Sequence, residues 1–168
     1  MKRKSISLIG MPACGKSTIG KELAKVLGMP LLDVDKWMEE REGMPLREVI
    51  ETKGKDYTLR LETDCIRSHD LHDVILSTPG SIIYNDVLDV LQEQTHIVWL
   101  NVPFAAIEER LAPDVDNKRG VIGLKEKGLK RLFDERTPFY AEWATSVIDC
   151  GSKSATDIVD EIVGIFRK

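Results

Sequence analysis

The sequence predicts an α/β fold: a three-layer α/β/α sandwich with a parallel five-stranded sheet flanked by helices. Two observations carry that prediction. Short apolar runs alternate with amphipathic stretches along the whole chain, the pattern of parallel strands joined by crossover helices. The first run, SISLIG, ends in a glycine-bounded loop that opens directly into a helical stretch. A loop of that kind brings backbone N–H groups to the carboxyl edge of a sheet, where α/β proteins meet their ligands.

SISLIG at 5–10 is a short apolar run bounded by glycine, and residues 16–28 repeat apolar positions at helical spacing up to Gly28. MPLLDVD is the second strand, and helix follows at 35–42. Residues 45–70 read as helix in pieces, broken near Gly43, Pro45 and Gly54. DVILST is the third strand, ending in the turn Ser77-Thr78-Pro79-Gly80-Ser81. Helix is expected at 84–93, strand at HIVWLNV, and helix at 103–111. Residues 112–123, APDVDNKRGVIG, are polar and punctuated by Pro113, Gly120 and Gly123, so they predict a mobile surface loop. It is either a plain connection or a lid, and the paired bases Lys118 and Arg119 favour the lid. Helix at about 123–143, the strand TSVIDC and helix at 154–167 complete the chain.

The 168 residues suit one domain spanning 1–168, and 42% hydrophobic with 31% charged residues is ordinary for a globular protein. With 24 basic and 28 acidic residues and no long block of either sign, no nucleic-acid footprint is expected, and any cationic site must be local. Cys14, Cys65 and Cys150 are widely spaced and form no metal or redox pair, which suits reduced thiols in the cytoplasm. The basic start MKRKSISLIG turns glycine-rich within ten residues, so neither a signal peptide nor a membrane span is expected. His69, His72 and His96 lack metal-ligand spacing.

Gly10-Met11-Pro12-Ala13-Cys14-Gly15-Lys16-Ser17-Thr18 matches G-x-x-x-x-G-K-[ST] in full. Gly10 and Gly15 let the backbone curl so that the N–H groups of the loop, including those at Ala13 and Cys14, converge on phosphate oxygens. Lys16 reaches the β and γ phosphates, and Ser17 offers its hydroxyl to Mg2+. The chemistry therefore points to ATP with Mg2+. Cys14 reads as a space-filling residue within the loop, with a low-pKa thiol at the helix start as the alternative. Asp33 and Asp35 stand two residues apart, so a continuing strand would turn both to one face. One could hold magnesium and the other accept the proton of an attacking hydroxyl, while Asp35 could also cap the helix beginning near Lys36.

On these residues, with Gly43, Leu46, Val49 and Gly54 in the same stretch, the chain resembles the shikimate kinases, small P-loop kinases that phosphorylate a hydroxyl of a cyclic polyol acid. The resemblance continues through Arg110 in ERL, Arg119 in the loop, and Arg136, Tyr140 and Ala144 in DERTPFYAEWA. It implies an acceptor-binding segment at about 34–62 and a lid at about 112–123. By the same resemblance Lys16, Ser17, Asp33 and Arg119 handle phosphates and magnesium, and Asp35 serves the acceptor hydroxyl. Arg110 would stack on adenine, and Arg136 would hold the acceptor carboxylate. Viewed alone, Arg110 also fits a solvated helix end.

The acceptor side departs from the family pattern. Where the family reads Phe-Arg-x-x-Glu, this chain has Thr58-Leu59-Arg60-Leu61-Glu62, so Leu59 stands at the arginine position and Arg60 lies one residue late. On a helix that is a rotation of about 100°. Where the family reads Ser-Thr-Gly-Gly-Gly, Pro79 removes an N–H donor, Gly80 survives and Ser81 adds a hydroxyl. In the lid, the family's Arg-Pro-Leu-Leu becomes Arg119-Gly120-Val121-Ile122. Leu59, Arg60, Pro79, Gly80, Ser81, Asp35 and Arg136 are therefore the expected acceptor-binding residues. The expected reaction is ATP-dependent phosphorylation of shikimate or a related hydroxy acid. A carboxylate held by one arginine in place of two loses about 1.5–3 kcal/mol, so shikimate binds poorly unless Arg60 substitutes. A smaller or less polar hydroxy acid or hydroxy amino acid, homoserine among them, suits the changed pocket.

The expected working unit is a cytoplasmic monomer that binds ATP and a small hydroxyl acceptor, with no nucleic acid or membrane partner. Two other readings compete: a regulatory module that binds nucleotide without transfer, and a nucleoside monophosphate kinase using Arg41, Arg47, Arg60 and Arg67. Retention of Lys16, Asp33 and Arg119 argues against the first, and the lack of a matching arginine pattern against the second.

Overall fold

The structure is a computed structural model, and it describes residues 5–114 and 116–167. Five parallel strands, β1 (Ser5–Ile9), β2 (Leu31–Asp33), β3 (Ile75–Ser77), β4 (Thr95–Asn101) and β5 (Ser146–Asp149), form one sheet in the order β2-β3-β1-β4-β5. β1 lies at the centre, paired with β3 (Ile6 beside Ile75) and with β4 (Leu8 beside Val98). All five of its residues are buried. Its two serines are satisfied internally: Ser7 Oγ bonds Thr95 Oγ1 at 2.9 Å, and Ser5 Oγ donates to Leu71 O while accepting from Val74 N.

The helices are α1 (Lys16–Leu27), α2 (Val34–Glu42), α3 (Leu46–Lys53), α4 (Lys55–Ser68), α5 (Leu88–Gln94), α6 (Phe104–Leu111), α7 (Leu124–Lys127), α8 (Leu129–Trp143) and α9 (Ala155–Phe166). Helix α1 buries Ile19, Gly20, Leu23 and Leu27 against the sheet and stops at Gly28, whose left-handed φ of 64° lets its N–H reach Ala24 O. Helix α9 opens on a capping box made by Ser154 and Asp157. Trp99 packs in the core beside Tyr140 at 6.1 Å between rings. No helix among the described residues is long and apolar enough to cross a membrane.

Three expectations change. The strand read in MPLLDVD ends at Asp33, because Asp33 turns its carboxylate to accept from Lys36 N at 3.3 Å and so starts α2. Asp35 is therefore helical, and strand alternation does not relate it to Asp33. The helix read at 84–93 begins only at Leu88, as α5: Tyr84 ends a 3-10 turn that starts at Gly80, and Asn85 is extended between them with its side chain bonded to Glu62. The stretch at 123–143 breaks at Gly128, whose φ of 76° and ψ of 160° separate α7 from α8.

Gly20 sets how closely α1 sits on the sheet: a Cβ there would lie 3.0 Å from Leu31 Cδ1 and 3.8 Å from the Ser77 side chain. Gly20→Val overfills that contact and is expected to cost about 1–3 kcal/mol, read as a lower Tm and a weaker ATP affinity as α1 and its loop shift together.

Candidate active site

At the carboxyl ends of β1 and β3 a cavity of about 640 Å³ opens between the Gly10 to Thr18 loop, α2, α4 and the segment after α6. The loop curls because Gly10 (φ 145°), Ala13 (φ 63°) and Gly15 (φ 104°) take positive φ. A side chain at Gly10 would meet Cys14 Sγ at 2.9 Å and Leu100 O at 3.0 Å, so the turn needs glycine there. Lys16 Nζ donates to Gly10 O at 2.8 Å and Met11 O at 2.9 Å, which fixes the ammonium inside the arc. Cys14 is buried beside it, its Sγ 3.6 Å from Lys16 Nζ, in agreement with the space-filling reading. Thr18 follows in the first turn of α1 and lines the cavity.

Ser17 Oγ donates to Asp33 Oδ2 at 2.8 Å, bringing a hydroxyl and a carboxylate side by side at the start of α1. Two hard oxygen donors next to a phosphate cradle suit magnesium. Arg110, on the last turn of α6, donates from Nη1 to Ala13 O at 3.0 Å, so the helix-end arginine is tied to the loop and borders the cavity.

Asp35 faces the cavity from α2. Its Oδ1 is buried without a hydrogen-bond partner. Burial pushes its pKa up to about 6, Lys16 opposing the rise and Asp33 and Glu39 adding to it. A carboxylate poised near neutrality with an unused lone pair is equipped to take a proton.

The segment expected as a mobile polar loop is built more tightly than its composition suggests. Asp114 accepts from the N–H groups of Lys118 and Arg119, and Asn117 bonds Val121 through both its side-chain oxygen and nitrogen. Val121 and Ile122 are buried. Gly120 (φ 71°) comes so close to the start of α3 that a Cβ would stand 2.7 Å from Arg47 N. Arg119 remains exposed and lines the cavity mouth.

On the acceptor side, Arg136 from α8 is 1% exposed. Its Nη2 donates to Ile122 O at 2.7 Å, and its Nε to Tyr84 Oη at 3.4 Å. A Cβ on Gly80 would lie 2.9 Å from Arg136 Nη1 and 2.9 Å from Pro12 Cδ, so the surviving glycine of the turn is the one that admits this guanidinium. Tyr140 Oη donates to Gly80 O at 2.6 Å and holds the turn from below. Pro79, Gly80 and Ser81 all line the cavity.

Leu59 and Arg60 correct the sequence reading. Both line a separate cavity of about 460 Å³, shared with Arg41, Tyr57 and Asn85, and neither lines the main one. Helical rotation explains it: on α4, Thr58 and Glu62 stand one turn apart on the face turned to the main cavity, and Leu59 and Arg60 fall beyond its edge. Arg60 does not replace the missing arginine. Trp37 and Trp143 pack partly buried against the core and line neither cavity.

The residue that sequence reading missed is Glu62. It is 1% exposed, and it accepts from Ser81 Oγ at 2.5 Å and Asn85 Nδ2 at 2.6 Å. Burial pushes its pKa up to about 8, partly offset by those two hydrogen bonds. Glu62 was visible as the end of the Phe-Arg-x-x-Glu spacing, but nothing local in the sequence ties it to Ser81 or Asn85. Thr58, Glu39 and Ile122 also line the cavity without a sequence signal.

Comparison with known proteins agrees with this geometry. The family model described as shikimate kinase matches residues 12–166. A shikimate kinase of a Sulfurihydrogenibium species is 34% identical over 167 residues, covering 98% of this chain and 99% of its own length. That of Persephonella marina is 32% identical over 166 residues, covering 98% and 99%. The solved shikimate kinase from Acinetobacter baumannii in complex with shikimate superposes with a TM-score of 0.86 at 26% identity, covering 97% of this chain and 92% of that one. That of Aquifex aeolicus gives 0.79 at 30% identity, covering 97% and 96%. The central β1, the cradle after it and these full-length matches put the chain in the shikimate kinase family, as an ATP-dependent phosphotransferase with an alcohol group as acceptor.

Proposed function

We propose that this kinase transfers the γ-phosphoryl group of ATP to a hydroxyl of a small carboxylate-bearing metabolite, shikimate or a related hydroxy acid or hydroxy amino acid. The carrying observation is the convergence on one cavity of a phosphate cradle with Lys16, the partnerless Oδ1 of Asp35, the exposed Arg119 and the buried Arg136. Two relatives named shikimate kinase and a solved one with shikimate bound support the acceptor class.

The loop N–H groups and Lys16 bind the phosphate chain, and Arg110 borders the nucleotide end. Ser17 and Asp33 are the residues to hold Mg2+, which supplies charge neutralisation at the phosphates. Arg136 orients the acceptor through its carboxylate. Asp35 receives the proton as the acceptor oxygen bonds to the γ-phosphorus and the bond from that phosphorus to the ADP oxygen breaks. Phosphoryl transfer has a loose transition state, so positioning and charge neutralisation supply most of the rate, and Arg119 reaching from the lid contributes both. A purely regulatory nucleotide binder has no use for Asp35 in its raised-pKa setting.

Coupled measurement of ADP release with a panel of hydroxy acids tests the reading. ATP binding without release in the presence of any of them would sink it. Arg119→Ala is expected to lower kcat by about 10³-fold or more with little change in ATP affinity. Asp35→Asn should also abolish turnover while leaving nucleotide binding in place. Because Asp35 must be ionised to accept the proton, kcat/KM should fall about tenfold per unit as the pH drops below about 6. A flat profile down to pH 5 would remove Asp35 from that role. Gly120→Ala, which drives a methyl group into Arg47, should raise KM and lower kcat together by displacing the lid.

A further inference from the structure

Three carboxylates crowd the acceptor end of the cavity. Asp35, Glu39 and Glu62 line it from α2 and α4, with Lys16 acting on Asp35 and Arg136 on Glu62. Glu39 is engaged, accepting from Leu46 N at 2.9 Å to cap α3. Glu62 has no hydrogen-bonded cation. Its two bonded donors, the Ser81 hydroxyl and the Asn85 amide, are both uncharged. Arg136 is near enough to act on it through space but spends its own hydrogen bonds on Ile122 O and Tyr84 Oη. At the position where the family pattern sets an arginine three residues before this glutamate, Leu59 turns into the other cavity. The second sequence change belongs with the first: Ser81, in place of a glycine, supplies the hydroxyl that aims Glu62.

A buried carboxylate held only by neutral donors is stable as an anion when a cation comes to it. Each Glu62 oxygen accepts one bond and keeps a second lone pair for such a cation. Among the described residues no cationic side chain bonds Glu62, Arg136 acting on it only through space, which leaves the acceptor. Arg136 Nη1 lies beside Gly80 and is not the nitrogen that bonds Ile122 O or Tyr84 Oη, although the guanidinium also acts on the Tyr140 hydroxyl, so it is the nitrogen placed for a carboxylate. A molecule carrying both charges and a hydroxyl satisfies every one of these groups. A polyol acid without an amine offers Glu62 only further uncharged hydroxyl donors, of the kind Ser81 already supplies.

Building on the kinase reading above, we propose that the acceptor is a zwitterionic hydroxy amino acid, its carboxylate on Arg136, its ammonium on Glu62 and its hydroxyl directed to Asp35. The hydroxyl proton passes to Asp35 as the new oxygen–phosphorus bond forms and ADP departs, and the ammonium keeps its protons throughout. The raised pKa of Glu62 accords with this, because the bound ammonium would supply the charge partner that the site lacks.

The experiment compares each of L-serine, L-threonine and L-homoserine with its deamino counterpart, 3-hydroxypropanoate, 3-hydroxybutanoate and 4-hydroxybutanoate, and with shikimate, by ADP release. In at least one pair the amino acid is expected to exceed its counterpart, and shikimate, in kcat/KM by about ten- to a hundredfold, the worth of one charge-assisted contact. Glu62→Gln keeps the shape of the site, its oxygen still accepting from Asn85 while its amide nitrogen donates to the Ser81 hydroxyl in place of accepting from it, and should bring that pair to within about threefold. The pair comparison needs no variant, so it stands even if the substitution disturbs folding. Shikimate as the best acceptor, or equal rates within every pair, would overturn the amine proposal and leave the kinase reading intact. ATP binding without ADP release for any compound would overturn the kinase reading itself.

Discussion

Arg136 is a guanidinium with almost no exposed surface, and a charge in that position stays only where the surrounding groups are arranged for it. Its hydrogen bonds go to the carbonyl of Ile122 in the lid and the phenol of Tyr84 at the end of the 3-10 turn, and its third nitrogen lies against Gly80. Those contacts join three segments far apart in sequence: the lid, the acceptor turn and α8. Tyr140, one helical turn after Arg136, donates to Gly80 O and fastens the turn to the same helix. Tyr84 in turn donates to Glu135 Oε1 at 2.5 Å, and Lys127 pairs with Glu135, so the polar groups around Arg136 are themselves held in place. The shape of the acceptor end follows from satisfying this one cation.

The nucleotide end is organised differently. There the backbone does most of the binding: a central buried strand, a loop with three positive-φ residues and a helix start converge where N–H groups accumulate. Side chains then fix the loop to itself and to its surroundings, Lys16 to the carbonyls of Gly10 and Met11, and Arg110 to that of Ala13. Asp33 works in two directions, capping α2 through one oxygen and meeting Ser17 through the other. Because α2 begins on that cap, the same residue that meets the Ser17 hydroxyl also sets where Asp35 stands.

Between these ends lies the acid cluster. Asp35 and Glu62 are both held above the usual carboxylate range, chiefly by burial, and the charge of Asp35 adds to the rise at Glu62. In a protein that kept an arginine next to Glu62 the cluster would be neutralised from within. Here Ser81 and Asn85 replace a charge with two dipoles, which orients the carboxylate without compensating it. The departures at positions 59, 79 and 81 are thus connected through Glu62, although the sequence presents them as separate substitutions.

The sequence by itself determined the sheet and helix alternation, the cradle from Gly10 to Thr18 and the family, because these depend on local order: residue periodicity, glycines at required turns and a lysine at a fixed step from them. The stretch at 112–123 was legible as a polar segment but not as a structure, since Val121 and Ile122 are buried by contacts that a polar composition does not announce. Asp33 and Asp35 were legible as a pair, yet their relation rests on a strand ending one residue before α2, a choice made by the cap on Lys36 N. Leu59 and Arg60 were misplaced because alignment by spacing says nothing of which way a helix is turned, and packing turned Thr58 and Glu62 toward the cavity. Only the tertiary structure could bring Glu62, Ser81, Asn85 and Arg136 together, because their contacts join α4, the turn after β3 and α8 across long stretches of chain, and burial there sets the charge that each can carry.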